Sequence, residues 1–178
     1  MEGIRMSFCF SRGCTLVRDL LKIMEMVTKQ IIRAASGWLE LGMPDDALEE
    51  LDALVGEDRE ERKALELKLA AQMSKEDWNP AAETAQNLCM QAVDEPDFFL
   101  SAAFCLHETG DTEEARKWLL KGPRVLDEMP VFHYNMACYL WTLGEGERAK
   151  NHLAQAVGMD ASFLESARED KDLAGMEI

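Results

Sequence analysis

Ala47, Ala81, Ala115 and Ala149 recur every 34 residues, and five positions before each stands Gly42, Glu76, Gly110 or Gly144. An interval of that length holds two helices and a turn, and self-similarity at a fixed period marks units stacked into a solenoid. Each unit contacts its neighbours, and the stack leaves an extended inner surface that serves binding more often than catalysis.

Other positions keep the same interval. Small or aliphatic residues return at Leu51, Ala85, Leu119 and Leu153, then at Leu54, Leu88, Gly122 and Ala156. Earlier in each unit come Ile31, Leu65, Phe99 and His133, then Ala35, Leu69, Ala103 and Ala137, then Trp38, Gln72, Leu106 and Leu140. Within a unit these fall three, four or seven apart, the spacing of one helical face. Glycine closes the first helix in the left-handed region, and an early alanine in the second helix lets two backbones approach.

In these marks the chain resembles the tetratricopeptide repeat family over roughly Thr28–Phe163. The units run at about 28–61, 62–95, 96–129 and 130–163. The third and fourth match best, through Ala103, Leu106, Gly110 and Ala115, then Ala137, Leu140, Gly144 and Ala149. The second departs from the pattern at Lys68, Gln72 and Glu76, so its turn is expected to be built differently. The resemblance implies an all-α fold: a right-handed superhelical solenoid of antiparallel helix pairs with capping helices at both ends.

At 178 residues and 47% hydrophobic, the chain has material for one domain with a continuous core. Residues 1–14 are expected to form an N-terminal segment without fixed structure, and 15–178 the domain. Leu16, Leu20, Ile23, Met24, Val27 and Ile31 make an apolar stripe at helical spacing, expected as a helix covering the open end of the first repeat. In a rival reading translation begins at Met24 or Met26, and the preceding residues are not native. At the other end, Asp160 caps a last helix over 163–178, with a break around Glu169–Asp172.

The net charge is −15, although residues 1–30 carry five Lys/Arg against three acids. The acidic stretches Asp45–Asp52 and Glu57–Glu61 repel phosphates. They read as a solvated outer face or as an attraction for a basic partner. No nucleic-acid partner is expected. No apolar run reaches the roughly 20 residues of a membrane span, and Met1–Gly13 does not resemble a secretory signal. Five cysteines in no paired spacing point to a reducing, cytoplasmic setting, with Cys89, Cys105 and Cys138 as small apolar residues inside helices.

Cys105 and His107 lie two apart on a helix, about 200° around its axis, which suits no shared metal ion. Neither a metal nor a cofactor is expected. Without a phosphate loop, nucleophile elbow or paired Cys-x-x-Cys set, neither is an enzyme. Glu108 beside His107 reads as part of an exposed helix end.

The family resemblance places the first helix of each repeat along a concave groove. Carried onto this chain, that face holds Arg33, Lys63, Leu100, Phe104, His107, Tyr134, Asn135, Cys138 and Trp141. The entrance is basic and polar. The third and fourth repeats are aromatic, suited to anchoring an apolar side chain of a peptide or helix from a partner protein of unknown identity, or else covered by the terminal helix of the same molecule. Related domains that grip acidic chaperone C-termini use Lys, Asn and Arg. The corresponding places here hold Ile32, Ser36, Glu66, Ala70, Leu100, Ser101, Phe104 and Tyr134. Only Arg33, Lys63 and Asn135 have suitable chemistry, so a carboxylate clamp is not expected. A second functional reading is a secretion-type chaperone of a hydrophobic client, since Asp97-Phe98-Phe99-Leu100 through Ala115 is similar to the central repeat of such proteins.

Overall fold

The computed structural model describes residues 11–177, with side chains from residue 16 onward. Residues 1–10, most of the expected N-terminal segment, lie outside the described residues. Among the described residues every element is helical: α1 (Ser11–Glu40), α2 (Pro44–Asp52), α3 (Arg62–Ser74), α4 (Trp78–Gln91), α5 (Pro96–Glu108), α6 (Thr112–Lys121), α7 (Pro130–Thr142), α8 (Gly146–Met159) and α9 (Phe163–Glu169). Two 3₁₀ turns join helices, at Gly56–Glu60 and Arg124–Glu128, and a third, Lys171–Leu173, follows α9.

The starts of these helices follow from local chemistry. Proline opens α2, α5 and α7, where its missing N–H is no loss, and its ring holds the preceding Glu95 and Met129 extended. The Asp111 carboxylate accepts the Glu114 N–H at 3.2 Å and caps α6.

The turns within the units are all alike. Gly110 N–H donates to His107 O and Asp111 N–H to Leu106 O, at 2.8 and 3.0 Å. This paired closure repeats at Gly42–Met43, Glu76–Asp77 and Gly144–Glu145. Glu76, expected to sit in a different turn, has φ +57° and makes the same two bonds as the glycines. The bonds and the packing of the following helix override its side-chain preference, at a cost of roughly 1 kcal/mol. Glu76→Gly is therefore expected to raise the urea midpoint by up to about that amount; an unchanged or lower midpoint would refute a strained turn.

Consecutive helices pack on one another, and α1 also meets α3, and α5 meets α7. The four periodic alanines are fully buried, as are Ala35, Ala103 and Ala137. The core is not one mass but two clusters that meet at α3. Ala64, Leu67 and Ala71 face Ala35, Ala47, Leu51 and Leu54, whereas Leu65 and Leu69 join the larger group from α4 onward. Gln72 is buried at the boundary with its Oε1 unpartnered.

Two features depart from expectation. No separate helix covers the first unit: α1 runs unbroken through it, and Leu16, Leu20, Ile23 and Met24 stay more than half exposed. The stripe has the right period, but only its C-terminal end is covered, where Ile31 packs on the first cluster and Ile23, Met24 and Val27 border a cleft with Ala53, Leu54 and Val55. The units also alternate. The short α2 and α6 are each followed by a 3₁₀ turn, whereas α4 and α8 run 14 residues without one. At Gly122 the chain leaves α6, and a Cβ there would overlap Leu126 and press on Phe99. Leu126, from the following 3₁₀ turn, fills the space that a side chain at Gly122 would take and is itself buried.

Candidate functional site

The expected groove residues fall into two places. Arg33 on α1 and Lys63 on α3 border an open cleft of about 450 Å³ with Ile32, Ser36, Glu40 and Glu61. Lys63 is turned toward Glu66, 3.2 Å away, which also pairs with Arg62. The basic entrance is thus partly neutralised by acids of its own helix.

The aromatic end is filled. After α9 the chain crosses α5 and α7 as a short tail, and four of the expected residues hold it. Tyr134 Oη donates to Asp170 Oδ2 at 2.6 Å, and the Cys138 thiol points to the same oxygen at 3.7 Å. His107 Nε2 lies 3.0 Å from Asp172 Oδ2, while its Nδ1 meets the Thr112 hydroxyl at 2.9 Å. The Trp141 indole N–H donates to Ala174 O at 3.1 Å. Leu173 and Met176 are buried in the larger cluster, and Phe163 stacks on Tyr134 with ring centroids 4.9 Å apart. Of the alternatives read from sequence, cover by the chain's own terminus describes this end.

His107 and Glu108 are accordingly not an exposed helix end. The His107 side chain is 9% exposed, and Glu108 meets Lys171 of the tail at 3.5 Å. Phe104 meets Trp78 edge-on at 5.5 Å, and both it and Leu100 pack against the larger cluster. Asn135 is half-buried on α7. The carboxylates of Asp170 and Asp172 carried no periodic signal that would have singled them out.

Burial disfavours the thiolate form of the three helical cysteines. Burial pushes Cys89 up to about 12 and Cys105 up to about 11, and pushes Cys138 up as well. The Tyr134 hydroxyl is raised first by burial, then by its bond to Asp170.

A second polar cluster joins α7 to α8. His133 Nε2 is 3.0 Å from Asp127 O, which can only accept, so that nitrogen carries the proton. In the neutral ring Nδ1 then accepts from His152 Nδ1–H, 3.1 Å away. Burial first, then His133 and Arg148, holds His152 below its ordinary value near 6.5, against a smaller opposing effect of Asp127. The unfolded chain therefore binds this proton more readily. The contribution of His152 is full above about pH 6.5 and is lost as pH falls toward the folded value. His152→Gln is expected to flatten the fall in urea midpoint between pH 7.5 and 5.5; an identical slope in both proteins would remove His152 as its source.

A comparison of the chain with family models and with curated proteins finds no match.

Proposed function

We propose that this chain is a non-catalytic protein-interaction scaffold of tetratricopeptide type, binding a peptide or helix of another protein on the face lined by α1, α3, α5 and α7. The observation that carries the reading is the grip on residues 170–176. Four side chains of α5 and α7 already bind a stretch of polypeptide through its carboxylates and one carbonyl. Contacts between consecutive helices, and between α1 and α3 and α5 and α7, support a solenoid of antiparallel pairs. The free, buried thiols suit a reducing, cytoplasmic setting, and the net charge of −15 argues against nucleic acid as partner. No helix among the described residues is long and apolar enough to cross a membrane.

Affinity capture tests the reading, with the intact chain run beside Arg33→Glu/Lys63→Glu and beside Tyr134→Phe/Trp141→Phe. Proteins retained by the intact chain and lost by either variant are the expected result. Identical retention by all three would move binding to another surface.

The exposed apolar stripe of α1 favours the second reading, a chaperone that covers a hydrophobic client. In that case Leu20→Glu/Met24→Glu abolishes client solubility, whereas the groove variants leave it intact.

A further inference from the structure

The tail is held by polar anchors in addition to the burial of Leu173 and Met176 in the larger cluster. Its polar anchors are two carboxylates, Asp170 and Asp172, set two residues apart and met by side chains that reach across 32 to 65 positions of sequence. Tyr134 and Cys138 are neutral donors, and among the described residues no lysine or arginine pairs with either aspartate. Below them Tyr139, 1% exposed and packed on His107 with ring centroids 4.8 Å apart, has a hydroxyl with no partner. The secondary structure of the tail is slight: the seven residues of α9, a three-residue 3₁₀ turn whose Asp172 N–H is capped by Asp170, and a left-handed Gly175. Such short elements have little stability of their own and depend on docking.

From this geometry we infer that the α5–α7 face is a recognition site for a peptide carrying carboxylates at positions i and i+2 followed directly by a large aliphatic residue, and that residues 163–177 are its resident occupant, displaced when a partner bearing that pattern binds. The inference rests on the scaffold reading above and specifies what its site takes. The Tyr134 hydroxyl and Cys138 thiol define the first carboxylate position, His107 the second, and Trp141 a main-chain carbonyl two residues beyond it. The Leu173 pocket selects the aliphatic side chain. Because Tyr134, Cys138 and Trp141 carry no charge and the chain is acidic, an acidic peptide is recognised at short range against net repulsion. Its affinity is expected to hold or rise as salt is added, the reverse of a lysine-lined site.

The probe is a synthetic peptide of residues 161–178, titrated by anisotropy against the full chain and against Asp170→Ala/Asp172→Ala, whose tail has lost its anchors. A competing occupant lowers apparent affinity by the fraction of time that it is undocked, so the variant is expected to bind the peptide at least about tenfold more tightly. Adding Tyr134→Phe/Trp141→Phe to the variant should reverse that gain. Hydrogen exchange on the unsubstituted chain provides a second reading. The amides of Leu173, Ala174 and Met176 should exchange through local opening, faster than those of α5 and α7. A peptide that binds neither protein overturns the inference, as does a tail that exchanges only in step with α5 and α7. A dimer that forms with rising concentration and that Tyr134→Phe/Trp141→Phe dissolves would make a second copy the occupant and overturn the partner assignment. If the peptide binds as expected while capture from lysate is unchanged by the groove variants, the scaffold reading fails and the site stands.

Discussion

Gly110→Val is expected to destabilise the chain by about 2 kcal/mol, lowering the melting temperature by roughly 4–8 °C. Gly110 has φ +90°, and a Cβ there would meet nothing within 4 Å. The loss is therefore one of backbone conformation and not of crowding. Valine, branched at Cβ, tolerates the left-handed region least. Gly110→Asn, which visits that region more readily, should lose less than half as much. Equal losses for Val and Asn would show that the position is sensitive for another reason. Unchanged melting in both would remove the backbone argument altogether.

Leu173→Ala is expected to have an effect of a different kind. The side chain is 2% exposed and buried among residues of the larger cluster. Removing it from a packed site costs about 2–5 kcal/mol. That energy belongs to docking of the tail, so the expected result is lost exchange protection at Ala174 and Met176 while α5 and α7 keep theirs. Circular dichroism should change little, since the tail contributes a single short helix. A collapse of protection along α7 together with the tail would show that residues 163–177 are an integral part of the fold.

The sequence disclosed the helix units because their signal is periodic. Four alanines at one interval can serve one purpose four times, and each proved inaccessible to solvent. Glu76 broke the pattern in letters but not in backbone, because two hydrogen bonds and the packing of α4 outweigh about 1 kcal/mol of side-chain preference. The exchange of Leu126 for the residue missing at Gly122 was not legible, since the substitute lies four positions further on and outside the repeat register. Four residues expected along the groove, His107, Tyr134, Cys138 and Trp141, meet the terminal tail. The sequence offered the chain's own terminus as one possible cover without pointing to the aspartates that make the contacts. Pairings such as Tyr134 with Asp170 or His107 with Asp172 join distant positions once, and a single occurrence has no period to detect.

The alternation of short and long second helices reaches beyond packing. α3 and α7 begin and end 68 positions apart, and so do α4 and α8, and the 3₁₀ turns at Gly56 and Arg124 keep the same offset. The first helices α3, α5 and α7 repeat at every 34 positions, whereas the long second helices and the 3₁₀ joints return only in every second unit. Excising 34 residues would join two junctions of the same kind. Growing or trimming this chain by recombination preserves its joints only in double steps, so length variants that keep the fold should differ by whole pairs.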